Sequence, residues 1–407
     1  MKKILAIICI SAVLLCSVGC DVPDELPNNV SNDSNSNYLN STDNTSSSAE
    51  NSDAPVGGDS SPSDPAVELI KSEAARDYNI ELPIVTAGEV LNMFRLDPKI
   101  DGHDYSVNAI LDWKTLFVSL FDRVGAGGID HGTGLYDLES YKFKLLPGLS
   151  DNGLCAWNRD YIVYKKFDPD FTAPSDDNSV RLYLYDINAE KEKLIYTYSF
   201  DRDTEFYGGH WQNNIVLSEG KIYFDDYVGS GDNMRSFLYS YDIASDKVEK
   251  LVDDAVNPHL FKNDILYFKQ NEDGRFKTLV TLGGDYEIDA ADGLVEIVTF
   301  DDRIFIMDAF SDDEAKITVW GIKDLVSDKR ILQTSKTITS LQGSSSFLVY
   351  QDFSVNYPPL VYDVANDRFI VFDELIGKNV SWYICGEVGL ARASSNGQSE
   401  TYLFTLK

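Results

Sequence analysis

A recurring pattern of apolar and polar positions organises the chain beyond about residue 65. In its clearest form, an alternating run ends in Tyr-Asp, a short polar turn follows, and a second alternating run returns. The pair stands at Tyr136-Asp137, Tyr185-Asp186, Tyr241-Asp242 and Tyr362-Asp363. Alternation with a period of two residues is typical of half-buried antiparallel strands. The unit therefore predicts a β-hairpin that recurs along the chain.

Degenerate copies of the same hairpin raise the number of units to seven. They lie at Thr278–Leu282, Ile317–Trp320 and Tyr402–Leu406. Successive copies are about 38 to 56 residues apart, which is the spacing of propeller blades. A β-sandwich array is the alternative architecture, and the single long period disfavours it.

A second hairpin precedes each unit, so that each repeat holds four strands, named A to D. Examples lie at Ala109–Val118, Ile215–Phe224, His259–Phe268, Val298–Ile306 and Ser340–Val349. The sequence therefore predicts an all-β fold, a β-propeller of seven four-stranded blades.

The amino-terminal part of the folded region is predicted to close the ring. The seventh repeat reaches Lys407 after strand C, so its strand D is expected within Ile80–Leu96. Such closure leaves no open sheet edge. Ahead of it, residues 64–77 combine helix-start residues with a 3.6-residue period, which predicts a short helix on the outside of the ring.

One stretch resembles a known family of propellers. Gly220–Asp225, followed by Leu238–Asp242, resembles the repeat rhythm of bacterial TolB-like and lipoprotein-receptor-like β-propellers. The resemblance covers roughly residues 106–407 and implies a propeller fold. The chain lacks the Ser-Pro-Asp-Gly core of TolB-type repeats and the Trp-Asp dipeptides of WD40 blades.

The first twenty residues read as a lipoprotein signal peptide. Lys2 and Lys3 precede the apolar stretch Ile4–Leu15, which is too short to span a bilayer. Ser17-Val-Gly-Cys20 resembles a bacterial lipobox, although Ser17 stands where that family usually has Leu. The resemblance implies that Cys20 carries a lipid. Ordinary secretion with simple cleavage is the alternative, because small residues also satisfy that rule.

Composition separates a tether from a folded domain. Residues 21–65 are rich in Asn, Ser, Asp and Gly, and such a segment cannot bury enough apolar surface to become ordered. We therefore expect a disordered tether there and a folded domain over residues 66–407. Cys155 and Cys385 fall in strand A of blades two and seven, which are not neighbours, so both are predicted to be free thiols.

The net charge of −31 limits the partners of the chain. A chain this acidic is repelled by nucleic acid and by anionic lipid head groups. Cations, basic partners and neutral ligands such as glycans remain compatible with it.

Long B–C connections place a ligand face on one side of the predicted ring. They are expected at residues 122–134, 168–179 and 225–235, on the same side as the D–A connections. At several ends of B strands an acid lies near an aromatic residue: Asp122, Asp168, Asp226 with Tyr227, Asp308, and Asp352 with Phe353. These carboxylates are predicted to ring the channel mouth, where they could bind a divalent cation such as calcium. Alternatively, Asp simply suits a strand-to-loop position.

The histidines give weaker signals. None of the four shows metal-ligand spacing. His131 lies in the glycine-rich segment 125–134, which fits no phosphate-binding motif and is predicted to be a flexible loop. His210 and Trp211 precede a strand A on the ligand face, where they could line a sugar-stacking site, or Trp211 could pack in the core.

These features favour a binding or scaffold propeller over an enzyme. We expect a monomer that is anchored to a membrane by its lipid, faces the bacterial cell surface or periplasm, and binds a protein or glycan. Apart from the cation considered above, no cofactor is predicted. The alternative is a hydrolase or lyase that acts on extracellular polysaccharide, with two of the Asp residues as acid and base.

Overall fold

A computed structural model of the chain describes most of the residues after position 64. The described ranges are 65–124, 127–149, 154–167, 180–198, 200–201, 206–207, 214–228, 235–270, 276–289, 294–312, 317–352, 359–395 and 398–407. The predicted signal peptide, Cys20 and the predicted tether up to residue 64 lie outside them. None of the described helices is both long and apolar enough to cross a membrane.

Seven four-stranded blades form the ring, one of them extended by a fifth strand, which confirms the predicted seven-bladed β-propeller. The chain enters through α1 (Pro65–Asp77), β1 (Ile84–Thr86), α2 (Ala87–Val90) and β2 (Leu91–Arg95). Blade one is β3 (Asp104–Asp112), β4 (Thr115–Val124), β5 (Gly127–Asp137) and β6 (Lys142–Leu145). Blade two is β7 (Leu154–Trp157), β8 (Tyr161–Phe167), β9 (Val180–Asp186) and β10 (Lys191–Thr197).

A small unpredicted ribbon separates blades two and three. It pairs β11 (Phe200–Asp201) with β12 (Phe206–Tyr207). Blade three is β13 (Val216–Ser218), β14 (Lys221–Val228), β15 (Arg235–Asp242) and β16 (Lys247–Asp253). Blade four is β17 (Ala255–Phe261), β18 (Asp264–Gln270), β19 (Phe276–Thr281) and β20 (Glu287–Asp289).

The remaining blades lead to the seam of the ring. Blade five is β21 (Leu294–Phe300), β22 (Arg303–Asp312), β23 (Ile317–Asp324) and β24 (Lys329–Thr334). Blade six is β25 (Ile338–Gly343), β26 (Phe347–Asp352), β27 (Leu360–Asp363) and β28 (Arg368–Val371). Blade seven is β29 (Asn379–Cys385), β30 (Val388–Ser395) and β31 (Gln398–Leu406), completed by β2.

The seam is closed as the sequence predicts, by an amino-terminal strand. β2 pairs antiparallel with β31, from Leu91 opposite Leu406 to Arg95 opposite Tyr402. The structure adds a contact that the sequence did not predict: β1 lies parallel to β28 and becomes a fifth strand of blade six. The amino-terminal segment is therefore attached to two adjacent blades.

Apolar side chains fill the space between neighbouring blades. Leu390 of blade seven packs with Val118 of blade one, and both are fully buried. Phe347 and Phe404 join blades six and seven with ring centroids 5.2 Å apart. On the outer rim, Ala74 of α1 packs into the core of blades five and six, and the Gln333 amide in β24 donates to the Tyr78 carbonyl. The apolar side chains of the inner strands are thus buried between neighbouring blades.

The repeated Tyr-Asp pair has a structural role in the turn between strands C and D. The Asp137 carboxylate accepts hydrogen bonds from the backbone amides of Glu139 (3.1 Å) and Ser140 (2.6 Å). The fourth residue after this Asp, Tyr141, has a φ of 56°. Asp186, Asp242, Asp324 and Asp363 likewise accept a turn amide, and a positive-φ residue follows each four positions later. The repeated Asp therefore caps a turn, as Asp side chains commonly do.

Parts of two predicted loops are instead strands. β4 runs to Val124 and β5 begins at Gly127, so only residues 125 and 126 separate them where a loop over 122–134 was predicted. Similarly, β14 extends to Val228, into the predicted loop 225–235. The ladder pairs Asp122 with Ile129, so backbone hydrogen bonding outweighs the glycine-rich composition of this segment. The predicted loop 168–179 lies outside the described residues.

Neither Cys155 nor Cys385 forms a disulfide bond, as predicted. Cys155 lies in β7 and Cys385 in β29, the inner strands of blades two and seven. Burial raises the pKa of each thiol above its ordinary value. Both are therefore protonated at neutral pH and unreactive as nucleophiles.

Candidate metal centre

Three side chains of blade one meet on the face where the B–C and D–A connections emerge. His103 Nδ1 lies 3.0 Å from Asp122 Oδ1, and His131 Nε2 lies 2.7 Å from Asp122 Oδ2. The two imidazole rings lie side by side, with centroids 3.9 Å apart and an angle of 36° between their planes. Each of the three side chains is about one-third exposed. We call this cluster the triad.

Strand pairing explains how residues distant in sequence converge. His103 immediately precedes β3, in which Asp104 pairs with Phe121 of β4. The next residue of β4 is Asp122. His103 and Asp122 are therefore directly opposite each other, one position beyond the last residue pair of β3 and β4, where side chains on the same face come into contact.

A β-bulge brings the third member of the triad into place. Leu120 pairs with Gly132 and Phe121 pairs with Asp130, so His131 is the extra residue of β5 at this point. Gly132 has a φ of 97°, in the range that favours glycine. A bulge of this kind redirects a side chain, and here it directs the His131 ring to the Asp122 carboxylate.

Two neighbours stabilise the bulge. The Gly132 amide donates a hydrogen bond of 2.7 Å to Asp130 Oδ1. A Cβ at Gly132 would lie 2.5 Å from Leu145 Cδ1, which is closer than such atoms can approach. Position 132 therefore favours glycine for its backbone angle, and a side chain there would also have to displace the exposed Leu145 side chain.

The electrostatics of the triad favour an ionised carboxylate. The hydrogen bond from His103, followed by that from His131, holds the pKa of Asp122 below its ordinary value. An ionised carboxylate with two imidazoles supplies one oxygen and two nitrogen donors. Their ligand atoms all lie within 4.8 Å of one another, close enough to share one metal ion.

The donor set fits a transition metal better than calcium. Imidazole nitrogen and carboxylate oxygen bind ions such as Zn²⁺ at about 2.0–2.2 Å, whereas Ca²⁺ takes six to eight oxygen ligands. Within the described ranges, no other group of three or more His, Cys, Asp and Glu side chains has ligand atoms this close together. The triad is therefore a candidate site for a divalent cation, and of the acids predicted to ring the channel mouth it includes Asp122.

Two of the other predicted ligand-face acids are buried inside their blades. Asp226 is fully buried and its Oδ2 accepts a 2.8 Å hydrogen bond from the Tyr196 hydroxyl. Asp308 is 4 % exposed and accepts bonds of 2.5 and 2.9 Å from the Arg330 guanidinium. Both carboxylates are thus engaged in the interior rather than displayed at a channel mouth.

The remaining predicted residues divide between described and undescribed parts of the chain. Tyr227 follows Asp226 in β14 and is half-buried, and burial raises the pKa of its hydroxyl. Asp352 ends β26. The other candidates lie outside the described residues: Asp168, His210, Trp211 and Phe353.

A further histidine, His259, is buried and has a structural role. It is 5 % exposed, and burial lowers its pKa to about 4, so its ring is neutral. Asn214 Nδ2 donates to the Pro258 carbonyl (2.9 Å) and lies 3.1 Å from His259 Nδ1. Because an amide nitrogen only donates, Nδ1 accepts and the ring proton is on Nε2. His259 is therefore separate from the triad.

His103 is the member of the triad that sequence reasoning missed. Its separation from Asp122 and His131 matches no metal-ligand motif, since His103 precedes β3 while Asp122 and His131 lie in β4 and β5. The signal available in the sequence was the position of His103 relative to the predicted strands. A histidine directly before a strand A and an acid near the end of the following strand B come together in any antiparallel hairpin.

Comparison with known proteins gives a likeness of fold only. No family model matches the chain, and no curated protein matches it. Among solved structures, an oligogalacturonate lyase in complex with manganese is similar over 78 % of this chain and 96 % of that one, at 12 % identity and a TM-score of 0.47. The β-propeller domain of the trilobed protease from Pyrococcus furiosus covers 72 % of this chain and 90 % of its own, at 8 % identity and a TM-score of 0.45. TolB from Acinetobacter baumannii covers 72 % and 80 %, at 13 % identity and a TM-score of 0.33.

Proposed function

We propose that this chain is a metal-dependent binding propeller of the bacterial envelope. A divalent transition-metal ion is held by His103, Asp122 and His131, and it contributes to a ligand site on the face where these residues lie. The observation that supports the proposal is the grouping of two imidazole nitrogens and one carboxylate oxygen within 4.8 Å of one another. Three protein ligands leave coordination positions open, as in metal sites that bind a further ligand.

The rigidity of the scaffold supports this role. Two of the three ligands come from paired strands, β4 and β5, and the bulge at His131 is fixed by Asp130 and Gly132. Sites built on strands are held more precisely than sites built on loops. The triad is also about one-third exposed, so a ligand can reach an ion bound there.

The metal proposal is tested by measuring bound metal directly. The purified full chain, stripped with a chelator, is titrated with Zn²⁺, Mn²⁺ and Ca²⁺ by calorimetry and equilibrium dialysis. We expect one tight site for Zn²⁺ or Mn²⁺ and weak binding of Ca²⁺. Asp122→Asn and His131→Ala should each abolish the tight site. Glu139→Gln is the matched control, since Glu139 is an exposed acid of the same blade at the C–D turn.

The effects of salt and of single substitutions distinguish a specific metal site from diffuse cation binding. A chain with a net charge of −31 also binds cations diffusely, and that binding weakens with salt and is insensitive to a single substitution. Tight binding that survives both triad substitutions would overturn the proposal. Release of oligosaccharides from extracellular polysaccharides by the metal-loaded chain would identify a hydrolase or lyase instead of a binding module.

We further propose that Cys20 carries a lipid that anchors the chain to a membrane. The support is the charged residues, the apolar stretch and the small residues that precede Cys20 in the sequence. We expect the chain to enter the membrane fraction of a bacterial host, and Cys20→Ala to move it to the soluble fraction. Cys16→Ala is the control. An amino-terminal peptide of the wild-type chain without an added lipid mass would contradict the anchor.

On this proposal the propeller is a monomer held outside the cytoplasmic membrane, with a protein or glycan as its ligand and no affinity for nucleic acid. The strong negative charge supports the last point, because phosphate backbones are repelled.

A further inference from the structure

A cleft of about 450 Å³ lies where blade seven meets blade one. Blade seven contributes Arg95 from β2, Arg392 from β30, and Glu400 and Thr401 from β31. Blade one contributes residues of β3 and β4, including Asp104 and Arg123. The volume is in the range of sites for small organic ligands.

The cleft is locally positive in a strongly acidic molecule. Three guanidinium groups, those of Arg95, Arg123 and Arg392, face two carboxylates. Both carboxylates already have cations. Glu400 lies 2.8 Å from Arg95 Nη2 and 2.5 Å from Lys378 Nζ, and Asp104 lies 3.7 Å from Lys99 Nζ.

Two of the three arginines have no anionic partner among the described residues. Within the part of the chain that the structure describes, neither Arg123 nor Arg392 forms an ion pair with a carboxylate. Arg392 is also half-buried, and it lines the cleft together with the buried Tyr105. Partial removal of a guanidinium from water without a partner costs free energy, which a bound anion would recover.

The chemistry of these groups selects the class of anion. A guanidinium presents two parallel N–H donors that match a carboxylate. Both lining carboxylates are already paired with cations, so a bound carboxylate would be held by Arg123 and Arg392. The remaining volume accommodates an organic body larger than the carboxylate itself.

The cleft adjoins the triad along the chain. Phe121 and Arg123, which line the cleft, flank Asp122, and the lining residue Asp104 follows His103. Consecutive Cα atoms are about 3.8 Å apart, so one strand end supplies both a metal ligand and a wall of the cleft.

We propose that the cleft between blades seven and one binds the carboxylate of a small organic acid through Arg392 and Arg123. This inference deepens the proposed function by naming the ligand class, and it rests on that function only for the neighbouring metal. The arginines need no metal to hold a carboxylate, so the two proposals fail separately.

The test compares an acid with its neutral amide. Benzoate and benzamide are titrated into the full chain, and binding is followed by saturation-transfer NMR. We expect saturable benzoate binding that weakens with salt, and benzamide binding at least about tenfold weaker. Arg392→Gln should weaken benzoate binding by about 10-fold or more, with Arg392→Lys intermediate. Arg159→Gln is the control, because Arg159 is 67 % exposed and pairs with Asp112.

Every other outcome of these titrations decides against one of the two proposals. Arg123→Gln is a second variant at an exposed position, in case Arg392→Gln does not fold. The inference is overturned by equal binding of benzoate and benzamide, by no saturable benzoate binding, or by benzoate binding unchanged in both variants. Binding that disappears in Asp122→Asn and after chelation assigns the carboxylate to the metal and overturns the arginine site. Binding that persists there, with no tight metal site, overturns only the proposed metal function.

Discussion

Arg330 and Asp308 form a two-bond ion pair although their strands are not adjacent. Asp308 lies on β22 and Arg330 on β24, and β23 runs between them. The guanidinium crosses β23 at Gly321, which pairs with Asp308. A Cβ at Gly321 would lie 2.2 Å from Arg330 Nη1 and 2.7 Å from Asp308 Oδ1. The absent side chain of Gly321 therefore provides the space for this ion pair.

Gly321→Ala should destabilise the propeller by about 3 kcal/mol, because the displaced guanidinium leaves the buried Asp308 carboxylate without its partner. Urea unfolding followed by fluorescence measures the free energy of unfolding. The Arg330→Met background is the control. There the guanidinium is gone, so adding Gly321→Ala should cost clearly less. An equal cost in both backgrounds would refute the assigned role of Gly321.

Gly132→Ala should weaken metal binding by about 10–100-fold, since it disturbs the bulge that positions His131. The added methyl group meets Leu145, and the φ of 97° disfavours any side chain. Gly128→Ala is the matched control on the same strand, where the new Cβ meets only the Asp122 carbonyl oxygen at 3.6 Å. Calorimetric titration with Zn²⁺ compares the two variants. Wild-type affinity in Gly132→Ala would show that the bulge does not position the ligand.

Glu296→Gln should stabilise the propeller more at pH 8 than at pH 5. Burial raises the pKa of Glu296 from 4.5 to about 7, while its Oε2 accepts the Leu341 amide at 2.8 Å. Between these two values the unfolded chain has released the proton that the folded chain keeps, so stability falls as the pH rises. Above pH 7 the folded state holds a buried charge, which Gln avoids while retaining an acceptor.

Thermal unfolding at several pH values measures this difference. The gain from Glu296→Gln should grow by about 1–3 kcal/mol between pH 5 and pH 8. Glu139→Gln, at an exposed turn, should show no such trend. A gain from Glu296→Gln that is independent of pH would contradict the raised pKa.

The Tyr141→Gly variant should have a free energy of unfolding about 1 kcal/mol higher than that of the Tyr141→Ala variant. The reason is that glycine adopts a positive φ without the strain that alanine has there. Tyr141 has a φ of 56° and its side chain is 66 % exposed, so little packing is lost. Guanidinium unfolding of the two variants makes the comparison. If Tyr141→Ala is the more stable, the turn does not impose the strain.

The sequence predicts features that depend on local pattern. Alternation and the repeated Tyr-Asp pair predict the blades because each strand buries one face and each C–D turn is capped by its Asp. Closure through β2 follows from counting the strands. The strand β1 escapes prediction, since a three-residue segment carries too little periodicity to be recognised.

The candidate sites depend on register and are harder to predict. The bulge at His131 changes which face its ring joins, and one inserted residue leaves no trace in the hydrophobic pattern. Likewise, the sequence suggests that Asp308 is exposed at a strand end. Its burial depends instead on the ion pair with Arg330, two strands away. The glycine in the middle of β23 was the local signal of that close approach.

The double attachment of the amino-terminal segment has a mechanical consequence. A pull on the chain ahead of residue 65 acts first on α1 and on the pairing of β1 with β28 in blade six. Only after these contacts break does the load reach β2, whose hydrogen bonds with β31 close the ring. The contacts with blade six thus protect the seam from applied force. The ring can remain closed when the chain is pulled from its amino-terminal end.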